Sequence, residues 1–211
     1  MYVPEQFEEP SVKVMHKLIR SRPLATLVTL GPAGVEANHI PLVLIDQTGA
    51  FGSLRGHVAR SNPLWQNHLQ DAEILAIFHG PESYITPSWY ASKAEDGKVV
   101  PTWNFVSVHA RGRLRVVDDA KWLRSQLEIL TAHNEKPFAH QWAVSDAPHD
   151  FTEKLIESII GIEIAIIDLK GKWKVSQNRP LRDRVSVIEG LHLHGQDEMA
   201  HLVRSRGGDS D

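Results

Sequence analysis

The sequence predicts an α+β protein, mainly β, folded as an antiparallel barrel with peripheral helices. Six or seven apolar segments of strand length follow one another, most of them joined by short turns. Helical patterns gather at the ends and in one crossover, whereas a doubly wound parallel sheet needs strands and helices to alternate. Neither GxGxxG nor GxxxxGKS/T occurs, which removes the Rossmann and P-loop readings.

The elements follow in order. SVKVMHKLIRS (11–21) spaces Val12, Met15, Leu18 and Ile19 as on one helix face, with Ser11 as cap and Pro23 as stop. LATLVTL (24–30) is a strand, GPAG (31–34) a turn, and VEANHIPLVLI (35–45) a second strand whose Pro41 marks an edge or bulge. A third strand, AFGSLRGHVA, runs into NPLWQNHLQ, a short helix with Asn62 as cap and Pro63 at its first position. AEILAIFHG (72–80) is a buried strand, and 81–101 reads as an irregular loop of the length that functional or interface segments have. TWNFVSVHARGRLRVV (102–117) is one long strand. DDAKWLRSQLEILTAHNE (118–135) is a helix capped by Asp118 or Asp119, with Trp122, Leu123, Leu127 and Leu130 on one face. SDAPHDFTEKLIESII (145–160) is a capped helix closed by Gly161, and 162–178 reads as a hairpin turning at Lys170-Gly171. Two helical stretches, 181–190 and 196–204, precede a tail that reads as frayed.

Composition sets limits on function. With 23 basic and 26 acidic residues the net charge is −3, so no bulk attraction to nucleic acid or anionic lipid is expected. The absence of cysteine excludes disulfides, thiolate metal sites and a cysteine nucleophile, and suits a reducing cytoplasm. MYVPEQFEEP lacks the apolar core of a signal peptide, and the longest apolar run, IIGIEIAII, is too short to span a bilayer. A cytoplasmic protein without membrane association is the expectation. Twelve histidines invite a metal, yet only the pair His192 and His194 is closely spaced and no HExxH occurs, so no metal site is expected.

Polar clusters on an apolar background mark the candidate site. In GHVARSNPLW, a strand feeding a helix leaves unpaired N–H groups, and Arg60, Ser61 and Asn62 add donors suited to an anion. His57 lies on the same strand end; the plain alternative is a capped helix with a solvated arginine. Asn38 and His39 interrupt the apolar strand VEANHIPLVL, either as satisfied core residues or as ligand contacts. Trp103 and Asn104 open the long strand, where an indole beside an amide suits a flat heteroaromatic ring as well as a core. KGKWKVSQNRP adds Lys172, Lys174, Gln177, Asn178 and Arg179, either a solvated hairpin or a donor set. Together these describe a phosphate-bearing flat ligand.

The run of motifs PLATLVT, NHIPLVL, GHVARSNPLW, IFHGPESYITPSWYASK, GKVVPTWNFVSVHARGRL, SDAP, IIGIEI and GKWKVSQNRP resembles, in content and order, the PaiB family of negative transcriptional regulators. The resemblance runs from Met1 to about Leu191. It implies an FMN-binding split barrel, six-stranded, antiparallel and Greek-key, with FMN at a homodimer interface. It divides the chain into a barrel domain with inserted helices at 1–191 and a C-terminal helix and tail at 192–211. By the same resemblance His57, Arg60, Ser61 and Asn62 would meet the FMN phosphate, and the strand from Asn38 and His39 to Leu42 would run along the isoalloxazine. Trp103 and Asn104, with Lys174, Gln177 and Arg179, would come from the other subunit. Related oxidases carry an Arg-Lys pair at the phosphate turn, where this chain has Arg60 followed by Ser61, Asn62 and Pro63.

Family membership implies repression of transcription in bacteria. Direct DNA binding has little support from the residues: no helix-turn-helix is evident, and the nearest basic feature is Arg111, Arg113 and Arg115 alternating along one strand. The alternatives are an FMN-dependent reductase or oxidase, and a haem-handling protein on the same barrel using HLHGQ. No catalytic acid, base or nucleophile is assigned.

Overall fold

The protein is described by a computed structural model at residues 1–67 and 72–206. Its elements are β1 (Glu8–Glu9), α1 (Val12–Ser21), β2 (Leu24–Gly31), β3 (Gly34–Pro41), β4 (Val43–Ile45), β5 (Ser53–Ala59), α2 (Leu64–Asn67), β6 (Ile74–Ile85), α3 (Lys93–Asp96), β7 (Thr102–Val117), α4 (Ala120–Glu135), α5 (His149–Glu157), β8 (Ile159–Lys174), α6 (Leu181–Leu193) and α7 (Asp197–Arg206). Single 3-10 turns occupy Glu5–Phe7, Pro87–Trp89 and Val144–Asp146. Residues 68–70 of the expected short helix and 207–211 of the expected frayed tail lie outside the described residues.

This is a mixed α+β fold with a β-sheet core and peripheral helices. The hydrogen-bonded order is β3-β2-β6-β7-β8-β5-β4, with β1 added to β8. The expected six-stranded split barrel is corrected in its strand count: the described residues form eight strands, and the hydrogen-bonded order runs from β3 to β4. The two extra strands come from segments too short to show a period, Glu8–Glu9 and Val43–Ile45. β2 and β3 form a hairpin paired from Leu24↔Pro41 to Gly31↔Gly34. Gly34 has φ 111°, a conformation that residues with a Cβ rarely adopt, so the turn depends on it. Pro41 closes a strand at the end of the sheet order, where its missing N–H costs no ladder bond.

Three other expectations are corrected. Residues 162–178 do not form a hairpin, because β8 continues through Lys170-Gly171 and Gly171 pairs with Glu9. Inside–outside alternation persists through that point, and the dipeptide lacks a left-handed residue to turn the chain. Gly161 does not end a helix: α5 stops at Glu157, and Gly161 pairs with His57 inside the sheet. The segment 81–101 is more ordered than expected, carrying the end of β6, the Pro87–Trp89 turn and α3.

The chain divides into two compact units. One comprises 1–11, 79–108 and 170–211, the other 12–78 and 109–169. The first is built around Ile85, Val106, Val108, Trp173, Val175, Val187, Leu191 and Met199, all buried. The second is built around Ile19, Leu27, Leu54, Phe78, Leu123, Ile160, Ile162 and Ile164. Each such side chain contributes roughly 1.5–3 kcal/mol relative to exposure. Among the described residues no helix is long and apolar enough to cross a membrane.

Candidate functional site

The strand-to-helix turn after β5 is built in the second unit. Arg60 N–H extends the β5 ladder to the Ser158 carbonyl at 2.8 Å, and Asn62 N–H closes the turn on the Ala59 carbonyl at 2.8 Å. Asn62 Oδ1 then accepts from Leu64 N–H at 2.9 Å, the cap expected from sequence, and Trp65 Nε1 donates to the Arg60 carbonyl at 2.9 Å. Asn62 Nδ2 donates to Asn38 Oδ1 at 2.9 Å, which ties the turn to β3. Alternation along β3 places Glu36 and Asn38 on the same side. Together Glu36, Asn38, Ser61, Asn62 and Pro63 line an open recess of about 420 Å³. Asn38, Ser61 and Asn62 are thus brought together.

Arg60 turns elsewhere. Its guanidinium donates to both Asp118 oxygens, at 3.0 and 2.8 Å, and to the carbonyls of Glu157 and Ile159 at 2.9 and 3.2 Å. The Arg60 hydrogen bond holds the Asp118 carboxyl below the usual carboxylate range, and Asp118 raises the arginine in turn. His57 Nδ1 donates to Gln126 Oε1 at 3.0 Å, leaving Gln126 Nε2 buried without a partner. His39 Nδ1 lies 3.2 Å from the Thr26 hydroxyl across the hairpin. Beside His57 in β5, Arg55 pairs with Glu163 at 2.7 Å and sits 5.5 Å from the Trp122 ring centre. Among the described residues the partners of the two histidines are the Thr26 hydroxyl and the Gln126 amide, with no carboxylate bonded to either.

The remaining expected residues belong to the first unit. Trp103 is exposed and meets Tyr84 edge to face, with ring centres 5.9 Å apart. Asn104 is buried and bonds Ser176 Oγ, its Nδ2 donating at 2.9 Å. Lys174 Nζ donates to the Thr102 hydroxyl and, at 2.8 Å, to the Trp103 carbonyl. Burial holds its ammonium below the ordinary lysine range, aided by the charges of Lys172 and Arg179. Gln177 is spent within its own turn, accepting from Val175 N–H at 2.8 Å and donating to the Trp173 carbonyl at 2.5 Å. Arg179 stacks on the buried Tyr90 ring, 4.6 Å from its centre. The PSWYASK segment is pinned here too: Ser92 donates N–H and hydroxyl to the buried Asp183 of α6, both at 2.8 Å.

Sequence reading missed the partners. Asp118 looks like a helix cap, but Asp119 performs that role, accepting from Trp122 N–H at 2.7 Å. The adjacent pair of aspartates was the available signal, since only one of two can cap. Gln126 and Ser176 carried none. The three arginines of β7 do alternate to solvent as expected, and two are paired. Arg111 lies 3.2 Å from Glu73 and 3.4 Å from Asp168, and Arg115 lies 2.5 Å from Glu163. Among the described residues no cluster of three or more histidine or acidic side chains could hold a metal.

Comparison with known proteins gives these features a family. A protein of Emericella nidulans described as uncharacterized is 35% identical over 98% of each chain. The protease synthase and sporulation protein PAI 2 of Bacillus subtilis is 30% identical, again over 98% of each. The solved FAD and heme binding protein of Mycobacterium smegmatis shares the fold with a TM-score of 0.57 at 18% identity, covering 79% of this chain and 73% of that one. A family model described as "Putative FMN-binding domain" matches residues 1–168, and the chain belongs to that family.

Proposed function

We propose that the protein binds FMN and acts in flavin redox chemistry, as an oxidoreductase of the reductase or oxidase type. The observation that favours this over a DNA-bound repressor is the state of the β7 arginines. Arg111 and Arg115 are matched by Glu73, Asp168 and Glu163, so that face offers little net charge to a phosphate backbone. The recess beside β3 suits an FMN phosphate through neutral donors: the Ser61 hydroxyl, the Asn38 amide and the second Asn62 N–H. Arg60 contributes by holding the turn rather than by a direct fork, and a second copy of the chain brings Lys174, Gln177 and Arg179 to the same flavin. Once bound, FMN supplies hydride and electron transfer. The chain binds and orients it.

Titration with FMN, followed by quenching of flavin fluorescence, tests the reading directly. Saturable binding weakened in Ser61→Ala, with bound FMN bleached by NADH or NADPH, is the expected result. Absence of binding at micromolar protein refutes it. A regulatory role is favoured by one finding, the full-length similarity to a Bacillus protein named for protease synthesis and sporulation. Operator binding that persists at physiological salt would move the reading to that side.

A further inference from the structure

The first unit carries a second recess, of about 430 Å³, and its lining has a chemistry of its own. Three aromatic rings, Tyr84, Trp89 and Trp103, stand in its lining. Tyr84 and Trp103 meet edge to face, and Trp89 lies directly on the α6 backbone at Gly190. A Cβ built at Gly190 falls 2.5 Å from that indole, so glycine is what lets the ring seat there. The His194 ring is tilted against Trp89, with centres 5.3 Å apart. His194 Nδ1 donates to the Gly190 carbonyl at 2.9 Å, which fixes the ring against α6. Ser83 and Gln196 complete the lining, the Ser83 hydroxyl donating to Gln196 Oε1 at 3.0 Å.

The charges on this lining have one sign. Glu82 stands at the recess and pairs with no cation among the described residues, and no lysine or arginine lines it. Lys174 bonds the backbone carbonyl of Trp103, and its own side chain is not part of the lining. Aromatic faces carry negative quadrupole potential. Ring faces and a carboxylate with no cationic partner among the described residues both attract positive charge.

We propose that this recess binds an organic cation, an alkylammonium whose charge is met by Trp89, Trp103 and Tyr84 and by the Glu82 carboxylate. The inference rests on the geometry of the recess and not on the flavin reading. Trp103, which the family resemblance would also place against a flavin, is the residue that links the two.

The test uses the full chain and tetramethylammonium chloride at constant ionic strength, with tert-butanol as a neutral probe of similar shape. Tryptophan fluorescence and indole N–H shifts are read together. A saturable response to the cation and none to tert-butanol is expected, weakened about tenfold in Glu82→Gln. Trp89→Phe identifies the indole signal that moves, and circular dichroism checks that both variants fold. Equal responses to the two probes, or a response that Glu82→Gln leaves unchanged, would overturn the proposal. Displacement of the cation by riboflavin would also overturn it, because the rings would then be serving a flavin.

Discussion

Replacing Asn104 with alanine separates a structural residue from a ligand contact. Asn104 and Ser176 are 1% and 3% exposed. Asn104 Nδ2 donates to Ser176 Oγ at 2.9 Å, and Oγ lies 3.3 Å from Asn104 Oδ1. Ser176 has φ 63°, the one non-glycine residue of positive φ among those described, and it begins the turn that carries Gln177 and Arg179. Truncation removes these contacts and leaves the Ser176 hydroxyl buried and unpaired, a loss of about 1–3 kcal/mol. With a urea slope of about 2 kcal/mol/M, the unfolding midpoint drops by about 1 M. Ser176→Gly loses the same bonds but relieves a left-handed residue costing about 1 kcal/mol, so its midpoint falls less. The assay is urea unfolding followed by circular dichroism, alongside FMN titration without urea. Asn104→Ala should unfold earlier and keep its FMN affinity within about twofold. An unchanged midpoint with lost FMN binding would falsify this account and make Asn104 a flavin contact.

Three further outcomes are expected. Glu163→Gln strips the carboxylate shared by Arg55 and Arg115, in a pair whose side chains are 27% exposed at Arg55 and 15% at Glu163, and lowers stability by about 1–3 kcal/mol. Burial alone would raise the Glu163 pKa, but hydrogen bonds from Arg115 and Arg55 outweigh it and the net direction is down. Its stabilisation is therefore complete above the unfolded value of about 4.3 and lost as pH falls through the lower folded value, so wild type and variant should converge in acid melts. Asp118→Asn loosens the pair through which Arg60 holds the turn, and flavin fluorescence should report weaker FMN binding; tighter binding would mean that the carboxylate competes with the phosphate for the guanidinium. Gly161→Ala places a Cβ 2.5 Å from the Trp122 ring and 2.8 Å from the Val117 carbonyl, costing about 1–3 kcal/mol in thermal or urea melts; an unchanged midpoint would show that α4 yields freely.

What could be read from the sequence was local. The alternation of TWNFVSVHARGRLRVV predicts the strand that forms, and the caps at Asn62 and Asp119 stand where short polar side chains precede an apolar period. The Lys170-Gly171 turn fails because glycine only permits a reversal; here strand pairing with Glu9 decides the conformation. Site residues are harder for a related reason. The partner of Arg60 is 58 positions away, that of Asn104 is 72 away and that of His57 is 69 away. A guanidinium reads the same in a sequence whether it faces a phosphate or a carboxylate. Arg60 has the residue type and turn of a phosphate fork, and only the placement of Asp118 and two carbonyl groups shows four of its five N–H donors already engaged. Ser61, Asn38 and Asn62 are weaker signals in the sequence, but they are the ones that reach the recess with donors to spare.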